Sequence, residues 1–165
     1  MKVGFTGHQR LDNPRDWEWV EGEIDRVLAS LSPPVIGITS LAVGADQLFA
    51  RVILRHEGSL QVIIPFPEYE DTFDEGRDRA SYQRLLKAAS TVTVMHRAGS
   101  DEECYLAAGK MVVDGADLLV AVWNGKPAAG LGGTGDIVEY ARQRQKRTVH
   151  LNPITHEVID SSGSG

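Results

Sequence analysis

This 165-residue chain carries one cysteine, Cys104, so no internal disulfide can form, and the usage fits a reducing cytosol. No apolar run approaches the roughly 20 residues of a membrane span. Met1-Lys2-Val3-Gly4 enters a strand pattern rather than a signal peptide, which points to a cytoplasmic protein with no membrane partner. The histidines His8, His56, His96, His150 and His156 lack paired ligand spacing and no Cys/His cluster exists, so no metal and no cofactor is expected. A G-x-S-x-G serine elbow is missing. The densest glycine run is not followed by the lysine and serine or threonine of a Walker A loop. Positive charge is also in deficit, with 17 Lys and Arg against 23 Asp and Glu and a formal net charge of −6. That balance argues against a broad basic face, and the expectation is no nucleic-acid partner.

Hydrophobic content of 42% and charged content of 24% are those of a globular domain with a core of its own. Short β-branched runs alternate with longer segments of helical period, the pattern of an α/β three-layer fold. The expected architecture is a mostly parallel six-stranded sheet with helices on both faces. The strands read as Lys2 to Thr6, Val35 to Thr39, Gln61 to Pro65, Thr91 to His96, Leu118 to Trp123 and Thr148 to Asn152. Asn13-Pro14 marks the first helix start. Thr72 with Glu75, and Ser100 with Glu103, have capping-box spacing and open helices three and four. Cys104, Ala107, Ala108, Met111 and Val112 share the inner face of helix four, which makes Cys104 a core thiol rather than a nucleophile. The fifth helix runs from about Gly135 to Gln145. Residues 1–160 read as one domain, and 161–165 as a flexible Ser/Gly tail.

In such sheets ligands bind beyond the carboxyl ends of the strands, so the loops that follow strands hold the candidate site. The densest of these is Gly130-Leu131-Gly132-Gly133-Thr134-Gly135, which leads directly into the fifth helix. Its glycines admit positive φ and close backbone approach, and the helix start adds free N–H groups and the positive dipole end, which suits a phosphorylated ligand. Gly7 either permits a turn or lets a ligand approach. His8 is a phosphate or base contact, or a loop residue. Arg10 pairs with phosphate or with a carboxylate of the same edge. Asp46 bonds a ribose hydroxyl or occupies the first turn of the second helix. Ser40, Gly44 and Asn124 complete the polar edge. Tyr69 and Trp123 are read as packing residues more than stacking platforms.

Leu131-Gly132-Gly133-Thr134-Gly135-Asp136-Ile137-Val138-Glu139 matches the pattern P-G-G-x-G-T-x-x-E at all three glycines and the glutamate. Together with Gly7-His8-Gln9-Arg10 and the G-A-D entry Gly44-Ala45-Asp46, it makes the chain resemble the SLOG superfamily. This Rossmann-like group includes the Lonely Guy phosphoribohydrolases and the DNA-processing protein A domain. The pattern's proline is Leu131 here and its threonine is Asp136. A carboxylate there would repel a phosphate monoester by roughly a kcal/mol. The resemblance implies a domain that binds a nucleotide or nucleotide-derived small molecule, NAD/ADP-ribose-like or a nucleoside phosphate, as a sensor. The alternative it implies is an N-glycosidic bond hydrolase in which Glu139 stabilises an oxocarbenium-like state. Asp136, three residues earlier on the same helical face, would then bring a second carboxylate to the sugar. Homodimers are common in the resembling family, so a homodimer is a further expectation.

Overall fold

The computed structural model describes residues 1–162. Seven strands form one sheet: β1 (Lys2–Gly7), β2 (Ile36–Thr39), β3 (Ser59–Ile64), β4 (Thr91–Val94), β5 (Leu118–Val122), β6 (Arg147–Leu151) and β7 (Val158–Ser161). Their order is β4-β3-β2-β1-β5-β6-β7, with every pairing parallel except β6 with β7. The helices are α1 (Asp16–Ala29), α2 (Ala45–Arg55), α3 (Arg77–Ala88), α4 (Asp101–Gly115) and α5 (Thr134–Gln143).

The chain steps outward from β1 to β4 and then returns to lay β5 on the other side of β1. Because the order reverses there, the loops after β1 and β5 diverge to opposite faces and leave a crevice between them. The central strand β5 is buried at all five positions, as a strand covered on both faces must be. On one face α2 packs over β1, β2 and β3, with α1 and α3 beside it, around a core that includes Phe49, Ile53 and Leu60. On the other, α4 seats Ala108 and Val112, with Ala116 just beyond its end, against Ile38 and Ile63, and α5 adds Ile137 and Ala141 against Val113 and Leu119. At Gly109 an added Cβ would lie 2.2 Å from Ile137 Cδ1, so the glycine leaves the space that the Ile137 side chain of α5 occupies against α4. Among the described residues no helix is long and apolar enough to cross a membrane.

Several local expectations change. The sheet has seven strands, not six: Asn152 accepts from the backbone N–H groups of Ile154 and Thr155, turning the chain so that Val158–Ser161 pairs antiparallel with β6. Arg147 and Asp160 join the two strands at 2.7 Å. Ser161, expected in the tail, thus ends a strand, and residues 163–165 of that tail lie outside the described residues. Helix three starts at Arg77, because Thr72 closes a short 3-10 turn and donates its hydroxyl to Tyr69 O instead of capping. The first helix starts at Asp16: Asn13 Oδ1 accepts from Arg15 N in a preceding turn. Ser100 does cap α4, accepting from Glu103 N at 3.2 Å. Cys104 is buried on the inner face of α4, whereas Met111 is 40% exposed.

Candidate functional site

A cavity of about 640 Å³ opens at the β1/β5 crevice. Of the residues expected at the site, Gly7, His8, Ser40, Asp46, Asn124, Gly132, Gly133, Thr134 and Gly135 line it. Arg10 and Gly44 do not; they face an adjoining recess.

Two hydrogen bonds of His8 join the two sides of the crevice: its backbone N donates to Val122 O at 3.2 Å, and Asn124 N donates to its Nε2 at 2.9 Å. An imidazole nitrogen that accepts is unprotonated, so His8 is the neutral tautomer with its proton on Nδ1. Burial also lowers its pKa. Gly7 is required by packing: a Cβ there would lie 2.6 Å from Ala45 Cβ at the start of α2. The α2 entry is welded to the loop after β1 by Ala45 N donating to His8 O at 3.1 Å. Gly44, at φ +87°, brings its α-carbon so near the Gln9 backbone that a Cβ would stand 2.3 Å from Gln9 O.

Asp46 is the buried carboxyl of this cavity, 6% exposed. Its Oδ2 accepts from the Thr39 hydroxyl at 3.0 Å and from Ala42 N at 3.4 Å. The Thr39 hydroxyl is itself oriented by Leu41 N, which donates to it at 3.0 Å. Leu41 holds φ +56°, an uncommon conformation for a branched side chain, and its side chain is fully buried. Desolvation raises Asp46 to about 7, more than these donors lower it. At neutral pH the group therefore exists as both acid and base.

The glycine loop packs against α4. Gly132, at φ +83°, leaves no room for a side chain, since a Cβ would lie 2.8 Å from Glu102 O and from Leu106 N. Asp136 Oδ2 accepts from Gly132 N at 2.8 Å, so this carboxylate closes the loop on itself. Thr134 and Gly135, in the first helical turn, lie on the cavity wall with the helix's positive end. Glu139 lies outside the lining. Arg142 holds it bidentately at 2.9 and 2.6 Å and Gln143 donates to it at 3.1 Å, and the arginine lowers its pKa. Asp136 and Glu139 thus do not converge on one point, because each is taken by a nearer donor: a loop amide for one, an arginine three residues on for the other.

Sequence reasoning missed much of the cavity wall. Tyr105 from α4 and Phe73 from the loop before α3 face it, and Tyr69, 4% exposed, packs edge-on to both Phe73 and Tyr105. Burial drives the Tyr69 hydroxyl well above its ordinary range, with the nearby Asp46 adding to the shift. Trp123, expected in the core, is half-buried on the wall; its Nε1 donates to Lys126 O at 2.7 Å, and Lys126 brings a cation to the lining. An aromatic residue near the start of a helix that begins on the ligand edge was the available signal for Tyr105.

A mostly parallel sheet with a crevice at its reversal point, bordered by a glycine loop and a helix start, defines a Rossmann-like domain. No family model and no curated protein matches the chain. Among solved structures it is similar to DNA processing protein A from Streptococcus pneumoniae, with 14% identity and TM-score 0.67, over 92% of this chain and 50% of that one. The same protein from Helicobacter pylori, described by its single-stranded DNA binding mode, gives 15% identity and TM-score 0.62 over 92% and 65%. The Moco carrier protein of Chlamydomonas rheinhardtii gives 14% and TM-score 0.53 over 90% and 74%. The chain therefore has the Rossmann-like fold that these structures share, and it spans between half and two thirds of the DNA-processing proteins.

These neighbours overturn the expectation of no nucleic-acid partner, which rested on the net charge. A sum over the whole surface is blind to where charge is gathered, and domains of this fold occur in proteins that bind single-stranded DNA.

Proposed function

We propose that the cavity binds a nucleotide or nucleotide-derived small molecule, an NAD/ADP-ribose-like compound or a nucleoside phosphate, as a sensor or ligand-binding domain. The observation that carries this reading is the convergence, in one recess at the β1/β5 reversal, of complementary surfaces. Free amides of Thr134 and Gly135 suit a phosphate, the aromatic wall of Tyr105, Phe73 and Trp123 suits a base, and the buried Asp46 carboxyl suits a sugar hydroxyl. Asp46 ionised would bond a hydroxyl and repel a phosphate, so the sugar belongs at Asp46 and the phosphate at the glycine loop.

Titration of the purified chain with adenosine monophosphate, ADP-ribose, NAD and a short single-stranded oligonucleotide tests this. Tryptophan emission is the reporter, with Trp123 on the cavity wall and Trp17 and Trp19 outside it, so the Tyr105→Ala variant assigns any change to the cavity. A small nucleotide should change the emission and raise Tm, and Tyr105→Ala should weaken the response. If none of the small ligands does so, the reading is wrong. Hydrolysis of an N-glycosidic bond through Glu139 would require that residue to leave Arg142 and turn into the cavity. The same samples, assayed for free base, test it: turnover lost in Glu139→Gln would replace the sensor reading with the hydrolase.

A further inference from the structure

Beside the main cavity, and outside the site just proposed, lies a second recess of about 710 Å³ between α1, α2 and the start of α3. The chain has twelve arginines. Seven of them, Arg26, Arg55, Arg79, Arg97, Arg142, Arg144 and Arg147, form ion pairs. Among the described residues five make none, and four of those five, Arg10, Arg51, Arg77 and Arg84, line this one recess. In an acidic chain that pairs most of its arginines, these four are gathered at one place.

The surroundings reinforce it. Burial lowers the Arg51 pKa, and the like charges of Arg55 and Arg84 add to the effect, while Glu21 and Asp78 oppose it. Three carboxylates share the lining, Glu18, Glu21 and Asp78, but Glu21 is taken by Arg55 at 2.6 Å. Arg51 is steadied by a long hydrogen bond to the buried Ser81 hydroxyl at 3.4 Å, which aims its guanidinium without neutralising it. The α3 N-terminus at the rim has Gly76 as its cap residue, with no side chain occupying the free amides. Trp17 supplies an apolar wall.

We propose that this recess is a second ligand site, for an anion of linked phosphates: the phosphoanhydride tail of a nucleotide or the phosphodiester backbone of a short single strand. Guanidinium groups bind phosphate oxygens bidentately, and four of them around one recess match several phosphates better than one. Glu18 and Asp78 on the same lining keep the recess from being uniformly basic, which favours a ligand whose phosphates reach the arginines singly.

Calorimetric titration of the full chain at low salt with sodium tripolyphosphate and with orthophosphate tests the site. Tripolyphosphate should bind at least tenfold more tightly, and binding should fall steeply with salt. Arg51→Gln and Arg84→Gln should each weaken it by roughly tenfold. Arg142→Gln, on a remote surface pair, and Tyr105→Ala, in the main cavity, should leave it unchanged, so this proposal and the nucleotide reading of the main cavity can fail separately. Equal binding of the two anions, or equal loss in Arg142→Gln, overturns the site. Displacement of tripolyphosphate by adenosine triphosphate identifies a nucleotide tail as the source, and displacement by oligothymidylate identifies a nucleic-acid backbone. If neither displaces it, the proposal falls.

Discussion

Asp46→Asn should make the protein more stable at neutral pH, an unusual direction for a buried residue with hydrogen-bond partners. The reason is protonic. In the folded chain the carboxyl titrates near 7, against 3.8 when exposed, because burial penalises the charged form more than Thr39 and Ala42 relieve it. Below 3.8 both states are protonated and the group has no effect on the balance. Between 3.8 and about 7 the folded state holds a proton that the unfolded state has released, so each unit of rising pH costs the fold about 1.4 kcal/mol. Above 7 the loss levels off at roughly 4 kcal/mol, an upper figure because the group sits on a cavity that admits water. Asparagine carries no such penalty, and its carbonyl can still accept from the Thr39 hydroxyl and Ala42 N. Urea unfolding of both proteins across this range should show a stability difference that grows with pH in favour of asparagine and then flattens. Taking the difference removes contributions common to both, among them that of His8. A difference independent of pH would mean that Asp46 is an ordinary ionised carboxylate in the fold, and its assignment as a group poised at neutrality would fail.

Gly44→Ala should destabilise the fold by about 2 kcal/mol or more, read as a lower urea midpoint, because the new Cβ meets Gln9 O at a residue with φ +87°. Gly132→Ala should cost roughly 1–3 kcal/mol for the same two reasons, strain and contact with the α4 backbone, and should also weaken nucleotide binding by shifting the loop. Glu139→Gln should leave both Tm and ligand affinity at wild-type values, since its contacts are to exposed Arg142 and Gln143 alone.

The runs that became β1, β2, β3, β5 and β6 were legible because buried strand positions leave little freedom of composition, and β4, exposed at all four positions, was legible from its unbroken β-branched Thr-Val-Thr-Val. The glycine loop was legible because its helix follows at once. β7 was not: all four of its residues are exposed, and its pairing depends on the Asn152 turn rather than on an apolar pattern. The start of α3 was misread because Thr72 and Glu75 have the spacing of a capping box, while the burial of Phe73 and the 3-10 turn before it set the backbone otherwise. Spacing also placed Asp136 and Glu139 on one face, yet side-chain direction was decided by donors a few residues away. Tyr105 and Phe73 escaped because a rule that sorts the loops after strands cannot find residues that reach the cavity from a helix or from the approach to one. The clustering of Arg10, Arg51, Arg77 and Arg84, far apart in sequence, exists only in three dimensions.

The partition between the two recesses is made of main chain. Gln9 and Val43 line both sides, the Gly44 α-carbon abuts the Gln9 carbonyl, and Ala45 N bonds to His8 O. Side-chain substitution away from Gln9 and Val43 can therefore reshape either chamber while these main-chain contacts keep the ridge in place. Mutational drift can retune what each side accepts, one residue at a time, while the relative position of the two stays fixed. Any single molecule that reaches both must bend around that ridge, and two separate molecules would be held at a constant offset.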